Sequence, residues 1–125
     1  MQYSVKALPV TGKMASFWRL LNDGTIEGQK PDGREIVASM KRAVMKEGRV
    51  EWHETCYCSP PLQHERSTVY DQFFESMEIA PKASASPIQG QHFWDYLRDY
   101  SKDQERSVGE AFVAGPVRYN PLRIL

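Results

Sequence analysis

The chain has little cysteine, no excess charge of either sign and no long apolar run, and each shortage closes a class of explanation. Two cysteines in 125 residues, one residue apart, cannot build the disulfide framework that holds small secreted domains. Sixteen basic residues against sixteen acidic ones leave no overall field to draw the chain onto phosphate backbones or anionic lipid, which disfavours nucleic acid as a partner. No stretch approaches the roughly 20 apolar residues needed to cross a bilayer. The opening Met1-Gln2-Tyr3-Ser4-Val5-Lys6-Ala7-Leu8-Pro9-Val10 also lacks the basic region and apolar run of a signal peptide. These absences lead to the expectation of a cytoplasmic protein without membrane association.

What is present suits a packed interior. Hydrophobic residues make up 41% of the chain, with five Phe, six Tyr and three Trp, and a chain of this length buries roughly two-thirds of its unfolded surface. One globular domain over residues 1–125 is expected. Residues 2 to 8 alternate as a strand closed by Pro9. Residues 15 to 21 run into Asn22-Asp23-Gly24 and then Thr25-Ile26-Glu27, and Asp-Gly predicts a hairpin there. A helix follows Pro31, with Asp32 as N-cap, Glu35 completing a capping box and Gly48 as its stop; Ile36, Val37, Met40, Ala43 and Val44 form its apolar stripe. Arg34, Lys41, Arg42 and Lys46 lie on its polar side.

Residues 49 to 57 alternate again, with Val50, Trp52, Glu54 and Cys56 on one face and His53, Thr55 and Tyr57 on the other. From Leu62 to Met77 a helical template fits better than a strand, with Ser59 as N-cap and Pro60 at the first helical position. A short strand at Glu78 and Ile79, a loop over 81–90, a helix from about Gln91 to Gln104 and a last strand near Val108 to Ala114 complete the reading. The tail over 115–125 keeps Tyr119, Leu122, Ile124 and Leu125, apolar enough to pack on the domain, on a second copy in a homo-oligomer or on a partner protein. The expected fold class is α+β, a mostly antiparallel sheet covered on one face by about three helices.

The chemistry is concentrated between Trp52 and Arg66, which hold both cysteines, two of three histidines, and the carboxylates of Glu54 and Glu65. As a zinc site, Cys56, Cys58 and His64 have suitable ligand types, whereas strand alternation turns His53 away from Cys56. As a catalytic or redox site, Cys58 stands just before the expected helix start, where a helix dipole favours thiolate, with His64 and Glu65 as candidates for acid–base work. A disulfide between Cys56 and Cys58 would be strained, because residues two apart in a strand lie nearly 7 Å apart. As a ligand site, Glu54, His64 and Arg66 would receive a small anion at the helix N-terminus. Each cysteine is equally suited to packing as a small buried hydrophobe. Glu54 discriminates most: a carboxylate on an apolar face must reach solvent, pair with a base such as Arg66, or hold its proton.

Glu54 to Leu62 with His64-Glu65-Arg66, preceded by Pro31-Asp32-Gly33-Arg34-Glu35-Ile36, resembles a group of small uncharacterised bacterial proteins. The resemblance implies no activity and no cofactor. The sequence therefore favours a non-enzymatic module that binds a partner protein or a small anionic ligand, with a thiol-dependent enzyme at Cys58 and His64 and a zinc-binding protein as its rivals.

Overall fold

A computed structural model describes residues 1–82 and 86–114, with residues 105–114 described by their backbone alone. Five strands form one antiparallel sheet in the order β4-β1-β3-β2-β5, made of β1 (Gln2–Pro9), β2 (Val44–Lys46), β3 (Arg49–Thr55), β4 (Phe74–Pro81) and β5 (Gln91–His92). The helices are α1 (Met14–Asn22), α2 (Gly33–Arg42), α3 (Gln63–Glu65), α4 (Asp71–Phe73) and α5 (Phe93–Ala114). This is the α+β architecture that the sequence implies. Burial alternates along β1 and β3 as the amphipathic pattern requires, so Tyr3, Val5, Ala7, Val50, Trp52 and Glu54 face inward. Phe17 of α1, Phe93 of α5, and Phe73 and Phe74 close the core, with the Phe17 and Phe73 rings stacked at 4.4 Å between centroids.

Several expected elements are different. Residues 15 to 21 are helical, because Met14, Phe17 and Leu21 recur at helical spacing and are buried. The Asp23-Gly24 pair ends that helix instead of turning a hairpin: Gly24 has φ +89°, and Asp23 Oδ1 accepts the Thr25 N–H at 2.9 Å. α2 stops at Arg42, so that Ala43 and Val44 leave the helix. Gly48 turns a two-residue hairpin with Glu47, both at positive φ, between the paired Lys46 and Arg49. Ser59 is not a helix cap. Pro60 and Pro61 precede Leu62, whose backbone is left-handed at φ 60°, and the helix begins at Gln63.

The helix expected up to Met77 is divided. α3 continues through a π-helical stretch, Arg66–Tyr70, into α4, and from Phe74 the chain is strand. β1 offers an edge here, and pairing with it overrides the helical stripe. The strand expected near Val108 to Ala114 is a continuation of α5, in which Glu110, Ala111 and Ala114 are good helix formers. The expected apolar tail over 115–125 lies outside the described residues. No helix among the described residues is long and apolar enough to cross a membrane.

One junction positions the site. β2 pairs with β3 only as far as Glu51, which leaves the β3 edge beyond it without a strand neighbour. α2 fills the gap with side chains: Arg42 Nη2 donates to the His53 carbonyl at 2.9 Å, and the Thr55 N–H donates to Glu35 Oε2 at 3.1 Å. Glu35, expected in a capping box, thus secures the strand that leads into Cys56.

Candidate metal centre

Glu54 projects from β3 into the core and is 1% exposed. Its Oε1 accepts the Trp52 indole N–H at 2.8 Å and the Tyr70 hydroxyl at 2.6 Å, while its Oε2 has no partner among the described residues. Burial pushes its pKa up to about 8, and the neighbouring charge of Glu65 adds to this against the two hydrogen bonds. Of the three outcomes open to a carboxylate on this face, the chain takes the third and Glu54 holds its proton at neutral pH. Burial and the facing Glu54 raise the Tyr70 hydroxyl well above its ordinary value.

Beyond β3 the chain folds back through Pro60 and Pro61, and α3 brings Glu65 over the two cysteines. Glu65 Oε1 lies 3.7 Å from Cys56 Sγ and 3.5 Å from Cys58 Sγ, and one ligand-type atom from each of the three residues lies within 4.8 Å of the others. Glu65 is itself 1% exposed, and its buried Oε2 has no hydrogen-bond partner among the described residues. Two backbone amides, of Cys58 at 3.2 Å and of the left-handed Leu62 at 3.3 Å, donate to Cys56 Sγ. Burial nonetheless pushes the Cys56 thiol up to about 11. Both cysteines are free, Cys56 buried and Cys58 half-buried.

A cleft of about 510 Å³, lined by Pro31, Asp32, Glu35, Thr55, Cys56, Tyr57 and Cys58, opens beside the thiols. Cys58, which is only partly covered, lies on the wall of this cleft. Buried acidic groups without a countercharge are costly, and here two thiols and two carboxyls stand together with hydrogen-bond donors as their partners. The two sulfur–oxygen separations, which are those of S–H···O hydrogen bonds, also match the spacing of about 3.6 Å expected for sulfur and oxygen ligands at about 2.3 and 2.1 Å from a tetrahedral ion.

His64 and Arg66 do not join this group. His64 Nδ1 contacts Asp32 Oδ2, the residue expected to cap α2, and the Asp32 side chain makes no cap. Arg66 Nε pairs with Asp71 Oδ1 at 3.0 Å on the surface and leaves Glu54 without a cation. The candidates Glu54, His64 and Arg66 therefore do not converge on one ligand, and of the residues in the zinc reading only Cys56 and Cys58 meet. Cys58 is also separated from the helix start by Pro60, Pro61 and Leu62, so no dipole acts directly on it. Of the catalytic candidates Cys58, His64 and Glu65, the first and last meet. Nothing in the sequence signals that Glu65 also reaches Cys56, because it looks like an ordinary first-turn acid and only its burial distinguishes it. His53 lies apart from Cys56, as alternation requires, and His92 is exposed in β5.

Comparison with known proteins finds no matching family model, no similar curated protein and no similar solved structure.

Proposed function

We propose that this protein binds a thiophilic divalent cation of the zinc class through Cys56 Sγ, Cys58 Sγ and a carboxylate oxygen of Glu65. The observation that carries the reading is Glu65: a fully buried carboxylate with one oxygen shared between two thiols and the other without a partner among the described residues. Zinc deprotonates both thiols on binding, and the amides of Cys58 and Leu62 then serve as the outer hydrogen bonds that stabilise a metal thiolate. Three protein ligands leave a fourth position toward the cleft for water or an exogenous donor. His64, offered by the sequence as a ligand, is replaced by Glu65 because Asp32 holds it elsewhere. The reading is of a binding protein, and it suits a cytoplasmic setting, where a reducing poise keeps both thiols free.

The alternative of a thiol nucleophile has less support. Its nucleophile would be Cys58, but His64, the base expected beside it, is held by Asp32, and Pro60, Pro61 and Leu62 stand between Cys58 and the helix start. Cobalt titration of reduced, chelator-free protein separates the two. One equivalent should bind with thiolate-to-cobalt charge-transfer absorption, the absorption should vanish in Cys56→Ser and Cys58→Ser, and affinity should fall about tenfold or more in Glu65→Gln. Absence of the absorption in the unaltered protein would remove the proposal.

A further inference from the structure

On the far side of Glu35 and Thr55 from the thiols lies a second, smaller cleft of about 270 Å³, lined by Gln2, Glu35, Arg42, His53, Glu54, Thr55 and Lys82. Three of these side chains are basic, and they come from α2, β3 and the residue after β4. We propose that Arg42, His53 and Lys82 bind a phosphate-sized oxyanion, the phosphoryl or sulfate group of a small ligand, independently of the metal centre.

The geometry favours a tetrahedral group. Among the described residues Arg42 is anchored through Nη2 alone, to the His53 carbonyl at 2.9 Å and to Glu35 Oε2 and Ser39 Oγ at 3.2 Å each. Lys82 is held to Gln2 Oε1 at 3.0 Å, and its Nζ has further donor capacity. The half-buried His53 lines the same cleft as the two cations, so that three separate side chains can donate to the oxygens of one anion. The two carboxyls in the wall are both directed elsewhere: Glu35 accepts from Arg42, Ser39 and the Thr55 amide, and Glu54 is turned to Trp52 and Tyr70. The groups lining the cleft with His53 are thus Arg42 and Glu35 from α2, Lys82 beyond β4 and the uncharged Gln2 from β1. The next row of the same sheet face carries Glu51, Lys6 and Glu78, and the Glu54 carboxyl points to the opposite face.

Convergence of positive charge has a visible consequence at His53. Burial first, then Lys82 and Arg42, hold its pKa below the ordinary value of 6.5. An anion between the three groups reverses that repulsion, so binding should raise the His53 pKa and affinity should grow as pH falls through the imidazole range.

The test is NMR titration of the His53 ring against pH in chelator, with sulfate, inorganic phosphate or acetate replacing chloride at constant ionic strength. Sulfate and phosphate are expected to raise the His53 midpoint, and acetate, with two oxygens, to do so less. Lys82→Gln should weaken sulfate binding about tenfold, the scale of one charged hydrogen bond. Lys13→Gln, an exposed change beyond the opposite end of β1 from Gln2, should leave it unaltered. A His53 midpoint equal in sulfate and chloride, or equal losses in both variants, would overturn the proposal. Because chelator is present throughout, either result leaves the metal reading untouched.

Discussion

At the scale of single residues, the carboxyl of Glu54 sets the pH response of the fold. Its pKa is raised from 4.5 to about 8 by burial, so the folded protein binds a proton that the unfolded chain has released. Between those two values the native state holds more protons, and stability must fall as pH rises. Each unit of displacement corresponds to about 1.4 kcal/mol, which makes the full effect a few kcal/mol. Glu54→Gln keeps an acceptor for Trp52 and Tyr70 and removes the ionisation. Denaturant melts of metal-free protein at pH 5 and pH 8 should show the variant closer to the wild type at the lower pH and clearly more stable than it at the higher. Equal differences at both would contradict the assignment.

The two thiols should also differ. Cys56 is 3% exposed and its thiol is raised to about 11, whereas Cys58 is only partly covered. Alkylation followed by mass spectrometry should label Cys58 well before Cys56 in metal-free protein, and stoichiometric zinc should slow both. Labelling of Cys58 at the same rate with and without zinc would separate it from the metal.

At the scale of elements, the start of α2 depends on a close approach. A Cβ on Gly33 would press on the carbonyl oxygens of Ile26 and Glu27, which are backbone and cannot turn aside. Gly33→Ala should therefore cost about 2–3 kcal/mol, as overpacking does, and should loosen Asp32 and Glu35 beside the cleft. Gly24 has φ +89° but open space around it, so Gly24→Ala should cost only about 1 kcal/mol. Thermal melts compare the two, and a larger loss at Gly24 would contradict the packing argument.

Elements with strong periodicity were legible in the sequence: β1 and β3 by alternation, α2 by its stripe, and the first half of α5 by Phe93 and Leu97. Where two local signals competed, the sequence misled. Asp23-Gly24 suits both a hairpin and a helix stop, and only the burial of Met14, Phe17 and Leu21 against the rest of the core selects the stop. Phe73, Phe74 and Met77 continue a helical stripe, yet the free edge of β1 draws Phe74–Pro81 into the sheet. The site divides in the same way. Alternation correctly put Glu54 and Cys56 inward and His53 outward, because that follows from one strand. The closure of Glu65 over the thiols depends on the path through Pro60, Pro61 and the left-handed Leu62, which no periodicity encodes.

For the molecule as a whole, two clefts beside β3 share a wall. Glu35 and Thr55 line both, the thiol side with Cys56 and Cys58 and the cationic side with Arg42, His53 and Lys82. The wall is the segment where α2 stands in for a strand neighbour of β3, so the same side chains that complete the sheet also separate the thiol cleft from the cationic one. Charge neutrality over the chain conceals this separation. Acidic groups without a cation gather at one end of β3 and basic groups gather beside them, and neither is visible in a net charge of zero.

The central claim is the ligand set of Cys56, Cys58 and Glu65. X-ray absorption at the zinc edge, on reduced protein loaded with one equivalent of zinc, reads that set directly. Two sulfur neighbours at about 2.3 Å with the remaining positions filled by oxygen at about 2.0–2.2 Å are predicted. A first shell without sulfur, or zinc that does not remain on the protein at one equivalent, would contradict it.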